Sequence, residues 1–302
     1  MARRSGLPPE GYGPLTLVLL YLYAILPAGS RAEAALHARE IAGVEGEEPL
    51  FPIASGDLIA AVSRVSSELF EEEPLNKLLS DINRVAPLAL KHEQVVRALM
   101  TKTPALVPVA FGRVFRSEDG VRDLLSREGE SLRTLLRELE GTQEWSVLVT
   151  RDSTRVQEAV ETSSDRLRTL ETEAEQSAPG RAYLLQKQKE RARAAETAQF
   201  AAQAVQDIAA RLAETGSRMV VEELPPHTPG ELDVALKAAL LMPEYALDGL
   251  QRTVQELNEG FGPAGFSIEI KGPWAPYSFV ALRQAQGTAG KPAQGTGGHG
   301  RG

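Results

Sequence analysis

Residues 15–32 read LTLVLLYLYAILPAGSRA, and how this stretch is interpreted decides the rest of the chain. Its apolar run at 17–26 lies behind Arg3 and Arg4 and ahead of small residues, so it imitates the charged start, apolar centre and small-residue cut of a secretory leader. It falls short of the roughly 20 apolar residues that a membrane-crossing helix requires. Pro8, Pro9 and Glu10 interrupt the approach to the run, and Tyr21 and Tyr23 lie inside it. Its loss would strip a first domain of a buried strand and leave the neighbouring strands without partners. We therefore read 17–26 as the central strand of a cytoplasmic protein.

Composition narrows the classes of function. With 302 residues, 42% of them apolar and 25% charged, the chain can bury two ordinary cores. Its net charge of −8 has the wrong sign for a protein that neutralises phosphates, which argues against a nucleic-acid partner. There are no cysteines, so thiolate chemistry, disulfides and cysteine-held metals are absent. The four histidines, His37, His92, His227 and His299, are far apart in sequence, a poor basis for a metal enzyme.

Outward from the opening strand, residues 1–14 and 284–302 are rich in Gly, Pro and small polar residues and read as flexible tails. DLIAAVSRV (57–65) is a second strand. From Leu75 to Met100, Leu78, Ile82, Val85, Leu88, His92, Val95 and Leu99 recur at helical spacing, with a kink or fresh start expected at Pro87. Residues 103–115 are expected as one strand, with Pro108 at an edge or bulge because it has no N–H to donate. Ser117 opens a helix whose stripe is Val121, Leu124, Leu125, Leu132, Leu135, Leu136 and Leu139. Residues 144–150 form a strand.

The middle of the chain differs in kind. Val160, Ser163, Leu167, Leu170 and Ala174 keep a heptad step, as do Leu184, Lys187, Arg191, Ala194, Ala198, Ala201, Val205, Ile208 and Leu212. Pro179 and Gly180 interrupt the seam, so a helical hairpin is expected at about 152–215. Strands at 218–224 and 266–272, a segment at 231–242 that local signals leave as strand or helix, a helix at 244–260 and a short strand at 277–282 complete the chain. The order of elements predicts an α+β fold of two ferredoxin-like domains. The first, modified one occupies 15–142, and the second, at 143–283, carries the long coiled-coil-like hairpin.

Several strings resemble, in order and spacing, those of the gas vesicle protein F/L family (GvpF/GvpL). They are LYLYAI (20–25), APLALKHEQVVRALM (86–100), LVPVAFGRVFRSE (106–118), Glu144-Trp145, SAPGRAYLL (177–185) and KGPWAPYSFV (271–280). Arg113 departs from the small or hydroxyl residue common in the family, and Ala275 interrupts its usual Pro-Pro pair. The resemblance implies an accessory protein of gas vesicle assembly, cytoplasmic and associated with the vesicles. It also implies binding to the hydrophobic shell subunit of GvpA type and to other accessory Gvp proteins, with no nucleic acid, membrane, cofactor, metal or catalytic residue.

The residues themselves give a quieter account. His92, beside Glu93, sits on an apolar helix face with no nucleophile or second carboxylate spaced to join it, as a core histidine does. Phe111, Gly112 and Phe115 read as strand packing, and Arg113 and Arg116 as part of a charged strand end. Prolines hold Trp274 and Tyr277 on a rigid turn that can close over the core or anchor a partner. Phe111, Arg113, Phe115, Arg116, Tyr183, Trp274 and Tyr277 are thus the candidate partner-binding or family-motif positions. Three functions compete: a non-catalytic assembly factor of chaperone or nucleation type, a minor structural component of the vesicle, and a small-molecule-binding module or enzyme.

Overall fold

The computed structural model describes residues 18–46, 48–215, 218–224, 233–281 and 283. Both expected flexible tails lie outside these residues. The architecture is mixed α/β, with two sheets and many helices, and the chain divides into two compact units. One runs to Thr142 and takes in the segment from Ala275; the other is Gln143–Trp274.

In the first unit β1 (Val18–Pro27) is the opening apolar run. It is followed by a short helix α1 (Arg31–His37), β2 (Phe51–Ser55), β3 (Leu58–Ser66) and the one-turn helix α2 (Ser67–Phe70). The strand order is β2-β3-β1-β4, where β4 is Val107–Pro108, and β5 (Val114–Phe115) also pairs with β1. Pairing on both edges makes β1 central. Tyr21, Leu22, Tyr23, Ala24 and Leu26 are 0% exposed, which explains a strand without polar alternation: both faces are covered. One face packs on α1 and on α4 (Ile82–Met100), in a core that joins Tyr21, Tyr23 and Leu26 to Leu36, Val95, Val96 and Leu99. The other lies against α6 (Gly129–Leu139), while α5 (Glu118–Arg127) covers β2 and β3. A β-bulge between Leu22 and Ala24 shifts the register, so Tyr21 and Tyr23 before it and Ala24 and Leu26 after it share one face. The helical stripe expected from Val121 to Leu139 is buried throughout.

Several expectations are corrected here. The single strand at 103–115 breaks into β4 and β5, because Pro108 offers no N–H and Gly112 turns the chain at φ +87. The intervening backbone still reaches β1, through Val109 N–H to the Tyr23 carbonyl and Leu22 N–H to the Arg113 carbonyl, each at 2.9 Å. The helix expected from Leu75 divides not at Pro87 but between α3 (Glu72–Leu79) and α4, where Asp81 caps α4 by accepting from Asn83 N–H. Ile82, placed on the buried stripe, is 72% exposed. Strand β2 and helix α1, at 5 and 7 residues, are too short for a period to be recognised in isolation. Residues 277–281 are helical rather than a strand, and with Ala275 they pack on this unit instead of closing the second.

The second unit has the strand order β7-β8-β6-β9, from β6 (Thr142–Arg151), β7 (Arg218–Val221), β8 (Val234–Pro243) and β9 (Phe266–Trp274). The locally ambiguous 231–242 segment is a strand from Val234, supplied with a ladder partner by β7. A 3-10 turn, Glu244–Ala246, leads into α10 (Leu247–Phe261), which buries Leu250, Val254 and Leu257. The helical arms are α7 (Ser153–Ser163), α8 (Asp165–Glu175) and the 35-residue α9 (Pro179–Ala213), about 50 Å long at 1.5 Å per residue. Pro179 stands at the start of α9, where its missing N–H has no helical acceptor to lose.

Of the seam expected on α9, the buried positions are Ala201, Ile208 and Leu212 in its lower half. There Ala201, Ala204, Ile208 and Leu212 join the sheet core. Farther out the buried residues are Leu185 and Ala192, packed with Val160, Leu167 and Leu170, whereas Leu184 is 67% exposed. Ser164 breaks the first arm by capping α8, accepting from Leu167 N–H while donating to Glu196 Oε2 on α9 at 2.6 Å. That break resets the rotation of the arm, and the contact stripe on α9 moves by one residue.

Candidate functional site

Strand β1 sends two tyrosines into an apolar core, and each hydroxyl needs a partner there. Tyr23 Oη accepts from Val44 N–H at 2.8 Å and bonds Ser63 Oγ at 2.8 Å. Tyr21 Oη accepts from Gly112 N–H at 2.9 Å and lies 3.0 Å from His92 Nδ1. With one lone pair used by Gly112, the Tyr21 hydrogen is best spent on Nδ1, which assigns the proton of the neutral imidazole to Nε2. Nε2 then donates to Tyr277 Oη at 3.1 Å, and the Tyr277 hydroxyl donates to the Glu93 carboxylate. A buried relay of hydrogen bonds thus joins the loop at Gly112, strand β1, helix α4 and the returning segment at 277–281.

Around it the rings form one cluster. Tyr23 stacks on His92 at 5.6 Å between centroids, Tyr21 meets Phe70 edge-on at 5.1 Å, and Phe111 lies edge-on to His92 at 5.9 Å. Gly112 allows the backbone close in: a Cβ there would lie 3.2 Å from Leu75 Cδ2, and its φ of +87 disfavours other residues.

Burial sets the protonation states. It drives His92 down to about 4, only partly offset by a backbone hydrogen bond at Val109. It raises Tyr21 beyond the usual phenol range and Tyr23 to about 12. Glu93 is raised as well, first by burial, against the Tyr277 hydrogen bond and the Arg97 charge; its Oε1 is buried with no partner among the described residues. At neutral pH the imidazole and phenols are neutral, and each spends its proton on a neighbour. The arrangement is suited to holding elements together rather than to moving protons to a substrate. Among the described residues no group of three His, Asp or Glu side chains could hold a metal ion, and no helix is long and apolar enough to cross a membrane.

The structure brings together only some of the candidate positions. Phe111 and Tyr277 meet at His92. Arg113 is exposed, with its guanidinium over the half-buried Phe115 ring at 5.4 Å, and Arg116 pairs with Glu71 at 3.1 Å in solvent. Tyr183, 63% exposed, stands near the start of α9, and Trp274 ends β9 opposite Glu144; both belong to the second unit. Beside that strand end Gly272 presses on Trp145, where a Cβ would lie 2.9 Å from the ring. Glu93 and Tyr21 were not among the candidates. The signal available for Glu93 was its place one residue after His92 on a helix whose other apolar positions are buried, and for Tyr21 a hydroxyl inside an apolar run.

The model of the family described as gas vesicle synthesis protein GvpL/GvpF matches residues 19–281. Gas vesicle protein L from a Streptomyces species is 29% identical over 88% of this chain and 94% of its own length. The crystal structure of gas vesicle protein GvpF from an Anabaena species superposes with a TM-score of 0.62 at 20% identity, covering 87% of this chain and 98% of that one. GvpF from Microcystis aeruginosa gives 0.57 at 20% identity, with the same coverage. These structures share the fold.

Proposed function

The chain belongs to the GvpL/GvpF family of gas vesicle synthesis proteins, and from that premise we propose that it is a non-catalytic assembly factor that covers the shell subunit of GvpA type until it reaches the growing vesicle. Membership places the protein in gas vesicle formation. The proposed partners are the shell subunit and other accessory Gvp proteins, met in the cytoplasm at the vesicle. A subunit with a large apolar face collapses onto its neighbours unless that face is shielded.

The observation that carries this reading is Tyr183-Leu184, 63% and 67% exposed near the start of α9, on an arm that buries Leu185 one position later. Two adjacent large apolar side chains held in solvent by a rigid helix form a docking element without a partner of their own. Edge strand β7 offers a second, with Val221 54% exposed. Arg113 and Arg116 are proposed as polar contacts around an apolar one, Phe115 as support for Arg113, Trp274 as a contact on the second unit, and Phe111 and Tyr277 as residues that hold the first unit in shape. We also read Gln143–Trp274 as a ferredoxin-like module with a helical insertion, a reading supported by its β7-β8-β6-β9 order. The first unit shares the β2-β3-β1-β4 order, but its central strands β1 and β3 run antiparallel, so it is a modified relative.

Two measurements test the proposal. Co-expression with the shell subunit should raise the soluble fraction of that subunit several-fold and yield a complex on a sizing column. An unchanged soluble fraction with no complex refutes the assembly-factor reading. The double variant Tyr183→Ala, Leu184→Ala should keep the wild-type stability within about 0.5 kcal/mol, as exposed substitutions do. Its yield of co-purified shell subunit should fall several-fold, and an undiminished yield removes the helical arm from the contact surface.

A further inference from the structure

We propose that the groove between α7 and α9 is a binding site for a small molecule bearing an oxyanion, a phosphate or a carboxylate, held by Arg151 and Arg193. The groove is half open to solvent and offers about 320 Å³. It exists because α9 turns the small residues Ala194, Ala198 and Ala201 toward α7, where leucine-sized side chains would close the gap. Its walls carry hydrogen-bond donors with capacity left over after their bonds to protein.

Arg151, the last residue of β6, spends its Nε on Asp233 Oδ2 at 2.7 Å. Its terminal amino groups bond no acceptor among the described residues. Arg193 gives one Nη1 hydrogen bond to Glu161 Oε1 at 2.9 Å, and the rest of its guanidinium is likewise unspent. Thr197 Oγ1 is buried on the same wall without a partner among the described residues. Among the described residues the carboxylate lining the groove is Glu190, which is hydrogen-bonded to Lys187 at 2.8 Å and feels the Arg193 charge without a hydrogen bond to it. Asp233 and Glu161 meanwhile fix the two guanidinium groups in place. Two oriented guanidiniums and a dry hydroxyl match the several acceptor atoms of one oxyanion better than they match water, whose own hydrogens then lack acceptors. The volume exceeds that of the anionic group alone, and the alanine wall suits a short apolar remainder of the molecule.

The test is calorimetric titration of the full chain with inorganic phosphate and, separately, with succinate, at an ionic strength held constant with chloride. Saturable binding of phosphate alone assigns a phosphoryl ligand, and binding of succinate assigns a carboxylate one. Arg193→Gln should weaken the binding tenfold or more. Thr197→Val, which removes one hydrogen bond at constant shape, should weaken it about fivefold. Ala198→Leu fills the groove on an exposed helix position without touching a charge, so it guards against a variant that merely misfolds; it should abolish binding with the circular dichroism spectrum unchanged. The proposal is overturned if neither anion binds beyond the chloride control, in which case the groove holds water only. It is equally overturned if binding survives Ala198→Leu and Arg193→Gln, as it would at a dispersed surface charge.

Discussion

Replacing Tyr277 with phenylalanine is expected to destabilise the first unit by about 3 kcal/mol, although the change removes a single oxygen atom. That oxygen accepts from His92 Nε2–H and donates to the Glu93 carboxylate. Its loss leaves the imidazole N–H with only the Val109 backbone as acceptor, and it takes the hydroxyl donor from a carboxylate, one oxygen of which already has no partner among the described residues. Unsatisfied buried groups cost roughly 1–3 kcal/mol each and more when charged, whereas the phenylalanine ring keeps the packing beside His92. The segment from Ala275, held also by the buried side chains of Ala275, Phe279 and Val280 and by the Arg283–Glu138 ion pair at 3.2 Å, should loosen first, because Tyr277 is its link to helix α4. Urea denaturation should show the lost stability, and amide exchange should show reduced protection at 277–281. Adding Glu93→Gln to Tyr277→Phe removes the stranded charge and should restore at least half of the loss. A Tyr277→Phe protein within 0.5 kcal/mol of wild type would mean that the relay carries no energy.

The second large effect is a dependence on pH. Burial holds His92 at about 4, well below its ordinary 6.5, so the folded state keeps the imidazole neutral while the unfolded chain takes up a proton. The stabilisation from the neutral ring is full above pH 6.5 and is lost as pH falls toward 4. Between pH 7 and pH 5 it amounts to about 2 kcal/mol. The titratable groups facing the imidazole are Tyr21, Tyr23 and Tyr277, with Glu93 beyond, and Tyr23, raised to about 12 by burial, stays neutral across this range. Tyr21 stays protonated throughout, and Glu93, whose affinity for a proton is raised by burial, works in the opposite direction: its protonation favours the folded state as pH falls. Wild type should therefore lose about 2 kcal/mol more than a His92→Gln protein when both are unfolded in urea at pH 7 and at pH 5. Equal losses in the two proteins would place the protonation elsewhere.

Both effects arise from a site that was half legible in the amino-acid sequence. The helical spacing of His92 with Val95 and Leu99 put the histidine on a buried face, and the absence of a nearby nucleophile made it a core residue; its burial and lowered affinity for protons agree. What it bonds was hidden, because Tyr21 and Tyr277 lie 71 and 185 residues away along the chain. No local pattern reports a partner at that separation.

The same division runs through the fold. The run at 17–26 announced a central strand by itself, since a strand covered on both faces must be apolar at both parities, and the leucine stripe of α5 and α6 announced its buried face by period alone. The motif strings, read in order, carried the family. Tertiary structure decided the rest. It split the 103–115 segment around Gly112 and gave β2 a ladder on β3 that its five residues do not advertise. It chose Leu185 over Leu184 on α9 and drew the Tyr277 segment back onto the first unit. Periodicity is written by each segment's own contact with water and core, and it survives in sequence. Register, strand breaks and long-range hydrogen bonds are settled by which surface happens to face the segment once the chain has folded, and that surface is supplied by residues elsewhere.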